Sequence, residues 1–218
     1  MPLRLAALCG LLAPVAFVVG LVIGDLVQPD AFSPADDDIS DLGALTASSP
    51  WLYNQVASNL TGLLILGLAL GLWHALGNGA LARLGVVALV VVGVGRFLEG
   101  FLRLDCQGID PACDNDSWHS SAHRVESGIS AAATFLAPLI LAFAFRRLPE
   151  WRRIWLPTLL AIPAAVVVSI PFSALGTGAA TRATSIVLML WIALLGFWLL
   201  RVASSDFRAE QATRPVGR

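Results

Sequence analysis

An α-helical bundle that crosses a membrane six times is the fold class this sequence predicts, and three observations predict it. Of the 218 residues, 57% are hydrophobic and 13% charged, roughly half the charged share of a soluble domain. The apolar residues gather into six runs of about 20, the length a helix needs to cross the hydrocarbon core while satisfying its own backbone. Neither the alternating pattern nor the roughly 10-residue segments of a β-barrel occur. A net charge of −1 offers nucleic acid no basic surface, so nucleic-acid partners are excluded and the lipid bilayer is the expected surrounding.

The first span is expected at Leu5–Val27. It follows Arg4, as a signal peptide would, but it is longer than a typical signal h-region and no Ala-x-Ala cleavage site follows, so a retained helix is expected. An acidic loop with Asp30, Asp36, Asp37, Asp38 and Asp41 leads to the second span, Trp51–Leu76, which Asn54 and Asn59 enter from the loop side. The third, Leu81–Leu102, carries Arg96 and Glu99 with Arg103 just beyond. A short loop containing Cys106, Gly108, Pro111 and Cys113 turns back to Ala122–Phe145, preceded by Trp118-His119-Ser120-Ser121. The fifth span, Ile154–Leu175, holds Pro157, Pro163 and Pro171 and should bend or break. The sixth is Ala183–Arg201; residues 1–203 form one transmembrane domain, and the short polar tail 204–218 is expected to be disordered.

Arginine orients the bundle. Arg4, Arg83, Arg146, Arg147, Arg152, Arg153, Arg201, Arg208, Arg214 and Arg218 fall on one side, while the opposite loops hold Arg103, Arg182 and most of the aspartates. The positive-inside rule places both termini in the cytoplasm and the acidic loops outside a plasma membrane. An exterior, oxidising location permits a Cys106–Cys113 disulfide.

Ionisable side chains inside a span are costly unless paired or hydrated. Arg96, Glu99 and Arg103 share one helical face by their spacing of three and four, and His119, His123 and Glu126 share another at i, i+4 and i+7. Both faces lie at the outer ends of adjacent spans, beside Asp25, Ser40, Asp41, Asn54 and Asp105. This asymmetry predicts an outward-facing polar pocket. Three readings fit it: charges that neutralise neighbouring helices and fix packing; a binding site for a small solute, ion or lipid headgroup; or a catalytic centre. In the last, His119 and His123, four apart on a helix, would hold a divalent metal such as zinc, with an aspartate as third ligand and an open position to activate water. The pattern has no His-Glu-x-x-His signature.

The loop Ile39-Ser40-Asp41-Leu42-Gly43 and the stretch from Arg96 through Leu104-Asp105-Cys106 to Ser117-Trp118-His119-Ser120-Ser121-Ala122-His123 resemble a bacterial and archaeal membrane family, domain of unknown function 998. That resemblance implies six helices and marks Ser40, Asp41, Leu42, Gly43, Asp105, His119 and His123 as motif positions; Gly178 to Arg182 resembles a further element. It implies no activity. A more distant likeness, to seven-helix zinc hydrolases related to alkaline ceramidases, differs by one helix and by a missing His pair in the last helix. Binding of a small ligand or lipid headgroup is the expected function, with a metal-dependent hydrolase at the outer leaflet, or a purely structural bundle, as alternatives.

Overall fold

A computed structural model describes the backbone of residues 1–213, with side chains to Ser204. Among the described residues the regular structure is helical throughout: α1 (Leu3–Leu26), α2 (Thr61–Ala75), α3 (Ala80–Glu99), α4 (Trp118–Arg147), α5 (Trp155–Leu159), α6 (Ala161–Ser173) and α7 (Thr177–Thr213). Six stretches are long and apolar enough to cross a membrane: Leu3–Leu26, Leu52–Ala75, Ala80–Glu99, Trp118–Arg147, Pro149–Ser173 and Thr177–Ser204. They coincide with the six expected runs to within a few residues, except that the fourth, fifth and sixth begin four, five and six residues earlier. The backbone of the tail is helical to Thr213, and 214–218 lie outside the described residues.

Small side chains bring the helices together. α1 is the hub, packed between α2 and α7, and its face Ala6, Ala7, Ala13 and Phe17 is fully buried. A methyl group added at Gly10 would come within 2.8 Å of Gly196 Cα, so the α1–α7 crossing needs glycine on both sides. Where lipid supplies no hydrophobic drive between helices, such close backbone approach is the main source of packing attraction.

Two departures from a plain α-helix shape the bundle. Residues Leu52–Leu60 form a π-helix leading into α2. Residues five apart share a face in that winding, so Asn54 and Asn59 both turn inward, together with Tyr53. The fifth span is broken as its prolines demand: a 3₁₀ turn (Pro149–Ile154) leads into α5, which ends at Leu159, and α6 begins at Ala161. Pro163 has no N–H to offer Leu159, which ends the helix there.

Around the bundle the packing runs α6–α7–α1–α2–α3–α4, and α4 closes the ring on α5 at the arginine-rich end. Towards the acidic end α4 makes only slight contact with α6 and almost none with α7. The fifth span is also the least buried of the six. The ring is therefore shut at one end and split at the other.

Candidate functional site

The segment between α1 and the π-helix lies across the acidic end as a lid tied down on every side. Ala179 N donates to Ala35 O (2.8 Å), Arg182 Nη1 donates to Asp37 O (2.8 Å), and Leu45 N donates to Leu104 O (3.0 Å). Arg182 also pairs with Asp25 at 2.7 Å, joining the start of α7 to the end of α1. Asn54 Nδ2 donates to Gly43 O at 3.0 Å. Gly43 is required there, because a Cβ would strike the Asn54 side chain. Asp41, 7% exposed, accepts from Gly108 N at 3.1 Å; burial pushes its carboxyl above the usual carboxylate range, with Asp38 and Asp37 adding to the shift.

The second lid segment follows α3. Cys106 and Cys113 stand at disulfide distance, their Cα atoms 6.1 Å apart, as their spacing led one to expect. Asp105 Oδ2 accepts from Ser117 N at 2.9 Å, and those bonds from Ser117 hold the Asp105 carboxyl below its ordinary range. The histidines finish the job that α3 leaves undone. A helix ends with carbonyls that lack intrahelical partners. Beyond the last turn of α3, His123 Nδ1–H donates to Leu102 O and His119 Nδ1–H to Arg103 O, both at 2.8 Å. Asn59 Nδ2 serves Phe97 O in the same way at 2.6 Å. His119 Nε2 lies 3.3 Å from Asp105 Oδ1, an ion pair whenever the ring carries both protons.

Beneath this lid lies a recess of about 400 Å³ between α3, α4 and α7. Asp38 and Ser40 stand at its roof, and Tyr53, Arg96, Glu99 and Glu126 line its upper wall. Arg96 Nη1 meets Glu99 Oε2 at 2.5 Å, and Tyr53 O–H donates to Glu99 Oε1 at 2.7 Å. Glu126 Oε1 accepts from Ser130 Oγ at 2.6 Å, while its Oε2 is buried without a partner among the described residues. Gly95 makes room for this pair, since a Cβ there would collide with Ser130 Oγ. Hydroxyls of Ser127, Thr134, Thr184 and Ser185 continue the wall, and Val92, Phe135, Leu188 and Met189 form an apolar foot nearer mid-span.

The spacing argument expected one converging pocket; the structure places its members at two levels. Ser40, Arg96, Glu99 and Glu126 line the recess, whereas Asp41, Asn54, Asp105, His119 and His123 are spent in the lid above it. Ser127 bridges the two levels: it lines the recess and lies 3.4 Å from His123 Nε2. Among the described residues no group of three His, Cys, Asp or Glu could share a metal ion. The two histidines each serve a separate backbone carbonyl through Nδ1.

Sequence reasoning missed Tyr53 and the hydroxyl residues. Their signal was present as a stripe, Ser127, Ser130 and Thr134 on α4 facing Thr181, Thr184 and Ser185 on α7. A family profile described as "Protein of unknown function (DUF998)" matches residues 11–198. No curated protein and no solved structure matches the chain.

Proposed function

The chain belongs to the DUF998 family, and we propose that it is a binding protein whose recess takes the polar headgroup of an amphiphile at the outer face of the membrane. The carrying observation is the recess itself: about 400 Å³, polar at the roof and apolar at the foot, on α3, α4 and α7. Ligand sites in proteins occupy cavities of this order, with a few placed polar groups on a largely apolar wall. A purely structural set of charges would close on itself, as the lid does. The recess instead leaves hydroxyls of α4 and α7 facing each other across a gap.

The lining also sets a preference. Among the described residues Arg96 is the one cation lining it, already engaged by Glu99, whereas Glu126 and Asp38 add acidic groups. The site therefore suits a headgroup bearing an amine or hydroxyls better than a bare anion. Orientation follows the positive-inside rule: Arg83, Arg146, Arg147, Arg152 and Arg153 gather at the end opposite the lid, which puts the recess outside and the termini in the cytoplasm.

Native mass spectrometry of protein released from defined vesicles tests this reading. Wild type is expected to retain one lipid-sized adduct, and Thr184→Phe, which fills the recess, is expected to lose it while melting within about 1 °C of wild type. Equal retention by both proteins, or none by wild type, would contradict it.

A further inference from the structure

Resting on that reading, we propose that the ligand is a diacyl lipid with an amine-bearing headgroup, and that it enters sideways from the bilayer between α4 and the α6–α7 pair. The route follows from what is shut and what is open. Above, the lid bonds to α1, α7 and the α3–α4 loop, and its Ile39, Leu42 and Ala44 are buried. Below, α4 closes on α5. Only the flank is parted, where α4 barely meets α6 and α7.

The parted flank is apolar. On α4, Phe135 is 45% exposed at the recess edge, and a Cβ on Gly128, nearby on that helix, would meet nothing within 4 Å. α6, packed on α7, is exposed over most of its surface, with Val166, Val167, Ile170 and Phe172 among its open apolar residues. Phe135 and Leu188 give the recess an apolar side on the α4 and α7 edges of the parted flank, below its polar groups, the division an amphiphile has between head and chain. A water-soluble solute would need the opposite arrangement, an open roof and a closed flank. Charge complementarity selects the head: the amine meets Glu126 and Asp38, while an anionic head would meet the same carboxylates with repulsion.

The experiment reconstitutes the full chain in vesicles containing a phosphatidylethanolamine with a photoreactive acyl chain, or a phosphatidylglycerol with the same chain. The ethanolamine lipid is expected to label peptides around Ala131–Phe135 of α4 and Val166–Phe172 of α6 at least five-fold above those of the α1–α2 face. Ala131→Trp, placed on an exposed recess edge, is expected to remove that excess without changing the melting temperature. Labelling spread evenly around the bundle, or equal excess from both lipids, would overturn the proposal. The binding reading fails separately: soluble glycerophosphoethanolamine that raises the melting temperature of wild type and Ala131→Trp alike sinks sideways entry but keeps the recess as a binding site. No shift together with no excess labelling sinks both.

Discussion

The two flanks of α4 could hardly be treated more differently. At the α3 side of its outer end, polar residues are consumed pair by pair: His119 and His123 on the carbonyls beyond α3, and Ser117 N on Asp105. Against α7, Thr134 and Thr181 bond back to their own helices, and with Ser127, Thr184 and Ser185 they line the recess without a partner on the facing helix among the described residues. A buried polar group left unpaired costs about 1–3 kcal/mol; the first flank avoids that cost by pairing, the second by leaving its hydroxyls partly exposed at the recess. The comparison teaches that ionisable residues in a span are weak guides to function by themselves; what distinguishes them is whether the protein has already used them.

Substitutions on the two flanks should therefore separate stability from binding. The largest effect is expected from Arg96→Ala, which strands Glu99 with only Tyr53. About 3 kcal/mol is expected, the low end for a buried pair because Arg96 keeps 22% of its side chain exposed. A melting temperature in detergent that does not move would dissolve the link between this pair and the fold. His123→Ala comes next: it deprives the Leu102 carbonyl of its donor, and about 1–3 kcal/mol of stability should go with it. His123→Asn, able to donate again, should restore part of the loss.

The two lid aspartates sharpen the contrast through pH. Asp105 has a depressed carboxyl; its contribution is present above about pH 4, the unfolded value, and is lost as pH falls. Asp41 is raised, so its sign is reversed: the fold is favoured with the acid protonated, below about pH 4, and that advantage disappears as pH rises through the folded value. Asp105→Asn should lower the melting temperature at pH 7 and flatten the acid limb. Asp41→Asn keeps an acceptor for Gly108 N and removes a buried charge, so it should leave stability at pH 7 unchanged or slightly higher. Identical behaviour of the two variants would break the distinction. The smallest effect on stability belongs to the α7 wall: Thr184→Ala should change the unfolding free energy by less than about 0.5 kcal/mol yet weaken lipid retention in native mass spectra.

Much of this architecture was legible in the residues. Six spans follow from hydropathy because lipid permits little else, and the Arg96–Glu99 pair follows from a spacing of three on one helix. The break in the fifth span follows from Pro163, whose missing N–H leaves Leu159 O without its partner. The histidines left three readings open in the sequence, because their partners here are backbone carbonyls, which no side-chain pattern announces. The π-helical entry to α2 escaped for a related reason: α-helical spacing does not put Asn54 and Asn59 on one face, whereas the wider turn does. The recess wall was hidden too, since serine and threonine are ordinary in spans and become a site only when α4 and α7 are held apart.

A structure of the full chain determined in lipid nanodiscs containing phosphatidylethanolamine puts the account to its most direct trial. Density for a headgroup among Glu126, Ser130 and Thr184, with acyl density leaving between α4 and α6, is the result expected. An empty flank with α6 and α7 closed onto α4, their hydroxyls bonded to one another, would contradict it.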